Sequence, residues 1–214
     1  MSELSEARLV NKDYEFKFEC KNCGDCCRNV KNSVMIEPLD FYRMVNFLKK
    51  DPISVFEELT EIVHLVDCYP VLMLKTKIHM DTCVFLRKGK CSIYEARPRA
   101  CRMYPLGADP DEKDFTSYIP CIFPTRKHHF EGETHKVSDW MDKNNTLEDR
   151  EFIKYDVKAI TELAPLFSSK HEVEISKWVL FYKYLNYDFS TEFLPQFITN
   201  MAILKGQIKG LVNQ

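Results

Sequence analysis

Four cysteines fall within eight residues at Cys20, Cys23, Cys26 and Cys27, and this run is where the sequence concentrates its chemistry. The residues between them are Lys21, Asn22, Gly24 and Asp25, a setting unlike the apolar faces on which free cysteines pack as small hydrophobes. Two-residue spacing lets a chain curl until successive thiolates and backbone amides face one point, as in metal-binding loops. Gly24 suits the tight part of that curl, where positive φ is needed. The C-x2-C-x2-C spacing overlaps the bacterial ferredoxin run. Here, however, Cys27 directly follows Cys26, and the ferredoxin fourth cysteine, three residues further on and followed by proline, is absent. Adjacent side chains usually point apart, so Cys26 and Cys27 are expected to serve different centres or different shells.

A second set follows as Cys83, Cys91 and Cys101, with Cys121 beyond. Around Cys101 the sequence reads Arg97-Pro98-Arg99-Ala100-Cys101-Arg102-Met103-Tyr104-Pro105, a rigid and electropositive stretch. Positive charge lowers thiol pKa values and offsets the charge of a tetrathiolate site. Arg97, Arg99 and Arg102 are therefore candidate cofactor-binding residues, with pairing to Glu95 and to loop carbonyls as the structural alternative. Cys68, in the apolar run HLVDCYPVLML, reads as a core thiol. His128, His129 and His135 read as a solvated loop, although a histidine ligand would come from there before His64, His79 or His171.

Together, CxxCxxCC and C…C.IYE.RP..CR.YP resemble the YkgJ-like cysteine-cluster family, described as zinc- or iron-chelating. The resemblance runs from Phe18 to Cys121. It implies Cys20, Cys23, Cys26, Cys27, Cys83, Cys91, Cys101 and Cys121 as metal ligands. Flagellin lysine methylases are similar in the same region, which keeps a protein-modification activity among the alternatives.

Eight cysteines divide into two tetrathiolate sites, which suits iron–sulfur or zinc. Three cysteines at C-x2-C-x2-C favour an iron–sulfur cluster of the [4Fe–4S] type, because zinc knuckles and ribbons present C-x2-C pairs. The motifs contain no histidine, so zinc here would be structural. One reading is a redox or cluster-handling component that works with a protein partner. The other is a zinc-stabilised interaction module. No dinucleotide, Walker A, metalloprotease or nucleophile-elbow motif is present.

Thirty basic against thirty-two acidic residues give a net charge of −2, which argues against wholesale nucleic-acid binding. No apolar stretch is long enough for a membrane span, and Met1 to Phe16 lacks the plan of a secretion signal. The expectation is a cytoplasmic protein with reduced thiols, for which a cysteine cluster reads as metal-binding.

These residues need elements to hold them, and the expected fold class is α+β. A small, irregular, metal-scaffolded cysteine-cluster domain over 10–130 precedes a helical C-terminal region over 138–214. Tyr14, Phe16 and Phe18 alternate as a short strand, and Val34 to Ile36 form another. Glu37-Pro38 and Asp51-Pro52 start helices, the second carrying Ile53, Phe56, Leu59 and Ile62. Tyr69 to Ile78 is a buried strand. Cys83 to Tyr94 is a hairpin turning at Arg87-Lys88-Gly89-Lys90. Residues 123–137 read as a loop or short hairpin. Amphipathic patterns span 147–164, 171–187 and 191–212, the last weakened by Pro195, Gly206 and Gly210. In the second of these, Trp178, Phe181, Tyr182, Tyr184, Leu185 and Tyr187 read as a packed face, or else as the surface through which the helical region docks a protein partner.

Overall fold

The structure, a computed structural model, describes residues 10–65, 69–108, 118–120, 130–163, 165 and 171–212. Phe16 is buried between two exposed neighbours in β1 (Glu15–Lys17), as the alternation predicts. A 3-10 turn at Asp25–Cys27 and the short β2 (Met35–Ile36) follow. Glu37 and Asp40 form a reciprocal capping box at the start of α1 (Pro38–Leu48), and Pro38 sits where its missing N–H costs nothing.

Asp51 accepts a hydrogen bond from the Ser54 N–H at 2.9 Å and opens α2 (Pro52–Leu59). This helix stops short of Ile62. Thr60 is extended and begins β3 (Thr60–His64), which pairs along its whole length with β4 (Pro70–Leu74). The β-branched residues Thr60, Ile62 and Val63 favour a strand, and five consecutive cross-strand pairs outweigh another helical turn.

The hairpin of β5 (Leu86–Arg87) and β6 (Lys90–Cys91) turns where expected, but its paired strands are only two residues each. Lys88 and Gly89 both have positive φ, at 47° and 79°, as a two-residue turn of this hand demands. A 3-10 turn at Tyr94–Ala96 leads to α3 (Arg99–Met103), β7 (Leu106–Ala108), β8 (Tyr118–Pro120) and β9 (Thr134–Lys136). The remaining elements are α4 (Val137–Asn144), α5 (Leu147–Leu163), α6 (Glu172–Leu180), a π-helical turn at Phe181–Leu185, and α7 (Phe193–Val212). Of the expected loop at 123–137, residues 123–129 lie outside the described residues, and Thr134–Lys136 pairs with β1.

The fold class is α+β. Among the described residues the sheets are small and antiparallel: β2-β4-β3, and the pairs β1-β9, β5-β6 and β7-β8. α7 stays continuous despite Pro195, Gly206 and Gly210. Pro195 occupies the first turn, where N–H groups have no intrahelical partner, and burial of Phe197, Leu204 and Ile208 compensates for the two glycines.

The helical region packs into the cysteine-bearing region. Phe152, Phe193 and Phe197 bury against Leu39 and Tyr42 of α1. The Tyr184 hydroxyl donates to the Ile36 carbonyl at 3.2 Å. Of the C-terminal aromatics, Tyr184 and Tyr187 join these cores, Trp178 and Tyr182 pack beside Tyr69 and Val71, and Phe181 is exposed. Lys183 lies buried with its Nζ 2.6 Å from Asp156 Oδ1 and 3.1 Å from the Tyr69 hydroxyl. Burial opposes its charge, but the Asp156 carboxylate holds the ammonium protonated. Among the described residues no helix is long and apolar enough to cross a membrane.

Candidate metal centre

Gly24 makes the first cysteine loop possible. Its φ of 74° is left-handed, and it leads into the 3-10 turn closed by Cys27 N–H to the Gly24 carbonyl at 3.1 Å. A Cβ at Gly24 would stand 2.5 Å from the Gly89 carbonyl oxygen and 2.6 Å from Leu86 Cδ1. The loop therefore lies directly against the β5–β6 hairpin, and only glycine permits that approach. Gly24→Ala is expected to cost about 1–3 kcal/mol through this clash and the strained φ. Thermal unfolding of the variant checks this, and an unchanged midpoint would show that the loop does not depend on the contact.

The Cys83 N–H donates to the Cys27 carbonyl at 2.8 Å, and Arg28 bridges Thr82 beside it. Two cysteine motifs far apart in sequence thus become neighbouring strand-like segments. β6 positions Cys91 opposite Leu86, and α3 presents Cys101. Cys20, Cys23, Cys26, Cys27, Cys83, Cys91 and Cys101 all line one cavity of about 1260 Å³. Cys68 and Cys121, with His128 and His129, lie outside the described residues.

The thiols differ in depth. Cys20 and Cys26 are exposed, Cys23, Cys27, Cys91 and Cys101 are half-buried, and Cys83 is buried. Cys27 hydrogen-bonds through its side chain to both Cys26 and Cys83. Adjacent side chains therefore converge here, because the 3-10 turn rotates Cys26 and Cys27 toward each other. The expectation is that they serve different centres or different shells, and both thiols line the one cavity. Cys26→Ser and Cys27→Ser, made singly, are expected to lower the same metal stoichiometry. Loss of two spectroscopically distinct centres would restore the separate assignment.

Burial and thiol–thiol hydrogen bonds dominate the thiol acidities, with mutual charge adding to them. Cys27 is pushed up to about 12: its hydrogen bond with Cys26 lowers it, but the Cys83 hydrogen bond, burial and charge at Cys83 and Cys91 outweigh that. Cys101 is raised by burial and then by Cys27 and Cys26. Cys91 is raised by burial, against opposing contributions from the Ile93 backbone and Arg97. Cys83 is lowered by the Cys27 hydrogen bond, with the Phe85 N–H also donating to its Sγ at 3.4 Å. Clustered thiols that disfavour one another's ionisation are what a cation stabilises.

The arginines divide. Arg97 lies beside the thiols: its guanidinium stacks 3.7 Å from the Tyr94 ring centroid, its charge lowers Cys91, and the Tyr94 side chain meets Cys20. Arg99 is committed to Glu37 through two bonds of 2.8 and 2.5 Å. Arg102 makes two bonds of 2.9 Å to Asp149 and donates to the Asn144 carbonyl at 2.7 Å. Both line the cavity, yet their guanidinium groups clamp α3 in place.

Three carboxylates that the sequence reading did not single out complete this clamp. Asp40, buried on α1, accepts from the Arg99 N–H at 2.9 Å, and burial followed by Glu37 pushes it up to about 7. Glu37 holds the Arg99 side chain, and Asp149 of α5 holds Arg102 and Arg43. The only local signal was a helix-start pattern. His135 is not in a solvated loop: it lies on β9, lines the cavity, and places Nε2 3.0 Å from the Phe18 carbonyl oxygen.

A family-wide sequence profile matches residues 19–131, and its description is CxxCxxCC, "Putative zinc- or iron-chelating domain". The chain belongs to the CxxCxxCC family. The match spans more than half of the sequence and both cysteine sets, so the chain carries a zinc- or iron-chelating cysteine-cluster domain. No curated protein and no solved structure matches the chain.

The donor set fits such a group, since seven thiolate donors on one cavity suit zinc and iron–sulfur chemistry and do not suit magnesium or calcium. Among the described residues no three ligating side chains are already drawn together around an ion position. Loading is expected to draw thiols together and expel protons from Cys27, Cys91 and Cys101. Zinc affinity is expected to rise between pH 6 and 8 by about tenfold per pH unit for each proton released. Competition against a chelating dye measures this, and a flat profile would mean that the thiols are not the ligands.

Proposed function

We propose that Cys20, Cys23, Cys26, Cys27, Cys83, Cys91, Cys101 and Cys121 hold iron–sulfur centres, at least one of the [4Fe–4S] type. The protein then serves as a cytoplasmic redox or cluster-handling component. The observation that carries this reading is the meeting of seven of these thiols on one cavity, with a C-x2-C-x2-C run at its mouth. When bound, such a cluster supplies one-electron chemistry or a transferable inorganic core. The chain's own residues hold it, limit water around Cys83 and Cys101, and set nearby charge through Arg97. The protein partner docks on the helical C-terminal region, where Val173, Phe181, Ile198 and Ile203 are exposed.

Anaerobic purification with iron, acid-labile sulfide and zinc analysis tests the metal. A brown protein with iron and sulfide in equal amounts is expected. A colourless protein with two zinc ions and no sulfide would replace this reading with a zinc-stabilised interaction module.

A further inference from the structure

The cavity is larger than a metal centre needs. At about 1260 Å³ it exceeds the range of roughly 300–1,000 Å³ that encloses a drug-sized organic ligand. Its walls differ in chemistry. Cys101 of α3 belongs to the thiol wall. Met103 ends the same helix, and Tyr104 just beyond it joins Phe18, His135 and Trp140 in an aromatic wall. Phe18 lies edge-on to Tyr104 at 5.5 Å and to Trp140 at 5.2 Å between ring centroids. α3 therefore leads from one wall to the other.

Apart from the thiols, the described residues lining this cavity carry more unpaired cations than unpaired carboxylates. Glu37 is used by Arg99, Glu19 pairs with Lys21, and Arg102 is taken by Asp149. Lys31, Arg97 and Lys143 also line the cavity, and among the described residues none of these three has a carboxylate partner. Against them stands one lining carboxylate without an ion pair among the described residues, Glu133. Lys143 Nζ lies 5.8 Å from the Trp140 ring centroid, so a cation and an indole sit together on α4.

We propose that the aromatic, cationic wall of this cavity binds an anionic small molecule with a planar apolar body, a carboxylate- or phosphate-bearing arene. The ring lies against the cavity side of the packed Phe18–Tyr104–Trp140 cluster, and Lys143 and Arg97 receive the anion. The ligand's nearness to a metal rests on the function proposed above, whereas its binding does not. A ligand held there lies on the same cavity as the thiols, which suits a substrate or modulator of that centre.

The test uses the full-length chain purified with its metal, carrying Trp178→Phe so that Trp140 is the remaining tryptophan. Naphthalene-2-carboxylate and its cationic counterpart, 2-naphthylmethylammonium, are titrated in parallel by calorimetry and Trp140 fluorescence. The expected result is one saturable site for the carboxylate with a change in Trp140 emission. The ammonium compound should bind at least tenfold more weakly. Lys143→Glu and Arg97→Glu should each weaken the carboxylate by about tenfold, while Lys205→Glu on distant α7 should leave it unchanged. Equal binding of both probes, no binding, or indifference to both charge reversals would overturn the proposal and leave these cations as counter-charges to the thiolates. Metal content measured on the same samples separates the two readings: metal without naphthoate binding defeats only the pocket, and naphthoate binding without metal defeats only the metal function.

Discussion

Asp149→Ala is expected to destabilise the protein by about 3–5 kcal/mol, because it leaves two arginines without their shared carboxylate in a largely buried setting. Asp149 is 1% exposed and accepts from Arg43 Nη1 at 2.6 Å and from both Arg102 Nη atoms at 2.9 Å. It also accepts from the Thr146 N–H at 2.7 Å and so closes the first turn of α5. A loss of this size lowers the melting midpoint by about 10 °C for a chain of this length. Thermal unfolding measures it, and a shift under about 2 °C would show that the network is not a structural anchor. Because Arg102 is one residue from Cys101, the same variant should also retain less metal during gel filtration.

The pH behaviour of Asp149 follows from the same contacts. Burial alone would raise its carboxyl, but the hydrogen bonds and charge of Arg102, then Arg43, hold it well below the usual carboxylate range. A group depressed in the folded state contributes its full stability above its unfolded value near 3.9. That contribution is lost as pH falls below this value toward the folded one. Acid unfolding should therefore begin below about pH 4 and be shallower in Asp149→Asn. Identical acid profiles for the two proteins would assign the acid sensitivity elsewhere.

Removing the metal is expected to have the largest effect. If the proposed thiols are the ligands, they form a site only in the folded chain, so binding free energy becomes folding free energy, about 10–16 kcal/mol for structural zinc sites. Chelation should first strip hydrogen-exchange protection from the Cys20–Cys27 loop and the β5–β6 hairpin. α7 should hold its protection longest through Phe197, Leu204 and Ile208. The loss will not end at the family domain, because Tyr184 of the helical region is buried in the same core as Cys83 and Ile36. Equal melting midpoints for metal-bound and stripped protein would overturn the coupling. Earlier loss of protection in α7 than in the cysteine loop would reverse the order.

The chain dictates on its own whatever depends on neighbours in sequence. Gly24 announces its left-handed turn, Pro38 and Pro52 mark helix starts, and Lys88-Gly89 marks the hairpin. The cysteine spacings announce a chelating domain because thiolate geometry is a local demand. The β3 boundary was not legible, because the pairing with β4 that decides it becomes visible only in the fold.

The cysteine run at Cys20–Cys27 was thus readable as metal chemistry from sequence. Tertiary structure alone decided that Cys83 lies beside Cys27. It also decided that Arg99 and Arg102 serve as clamps for α3. Those outcomes depend on carboxylates 62 and 47 residues away, Glu37 and Asp149. A buried guanidinium goes to the carboxylate that the fold brings within reach, and sequence spacing carries no information about that distance.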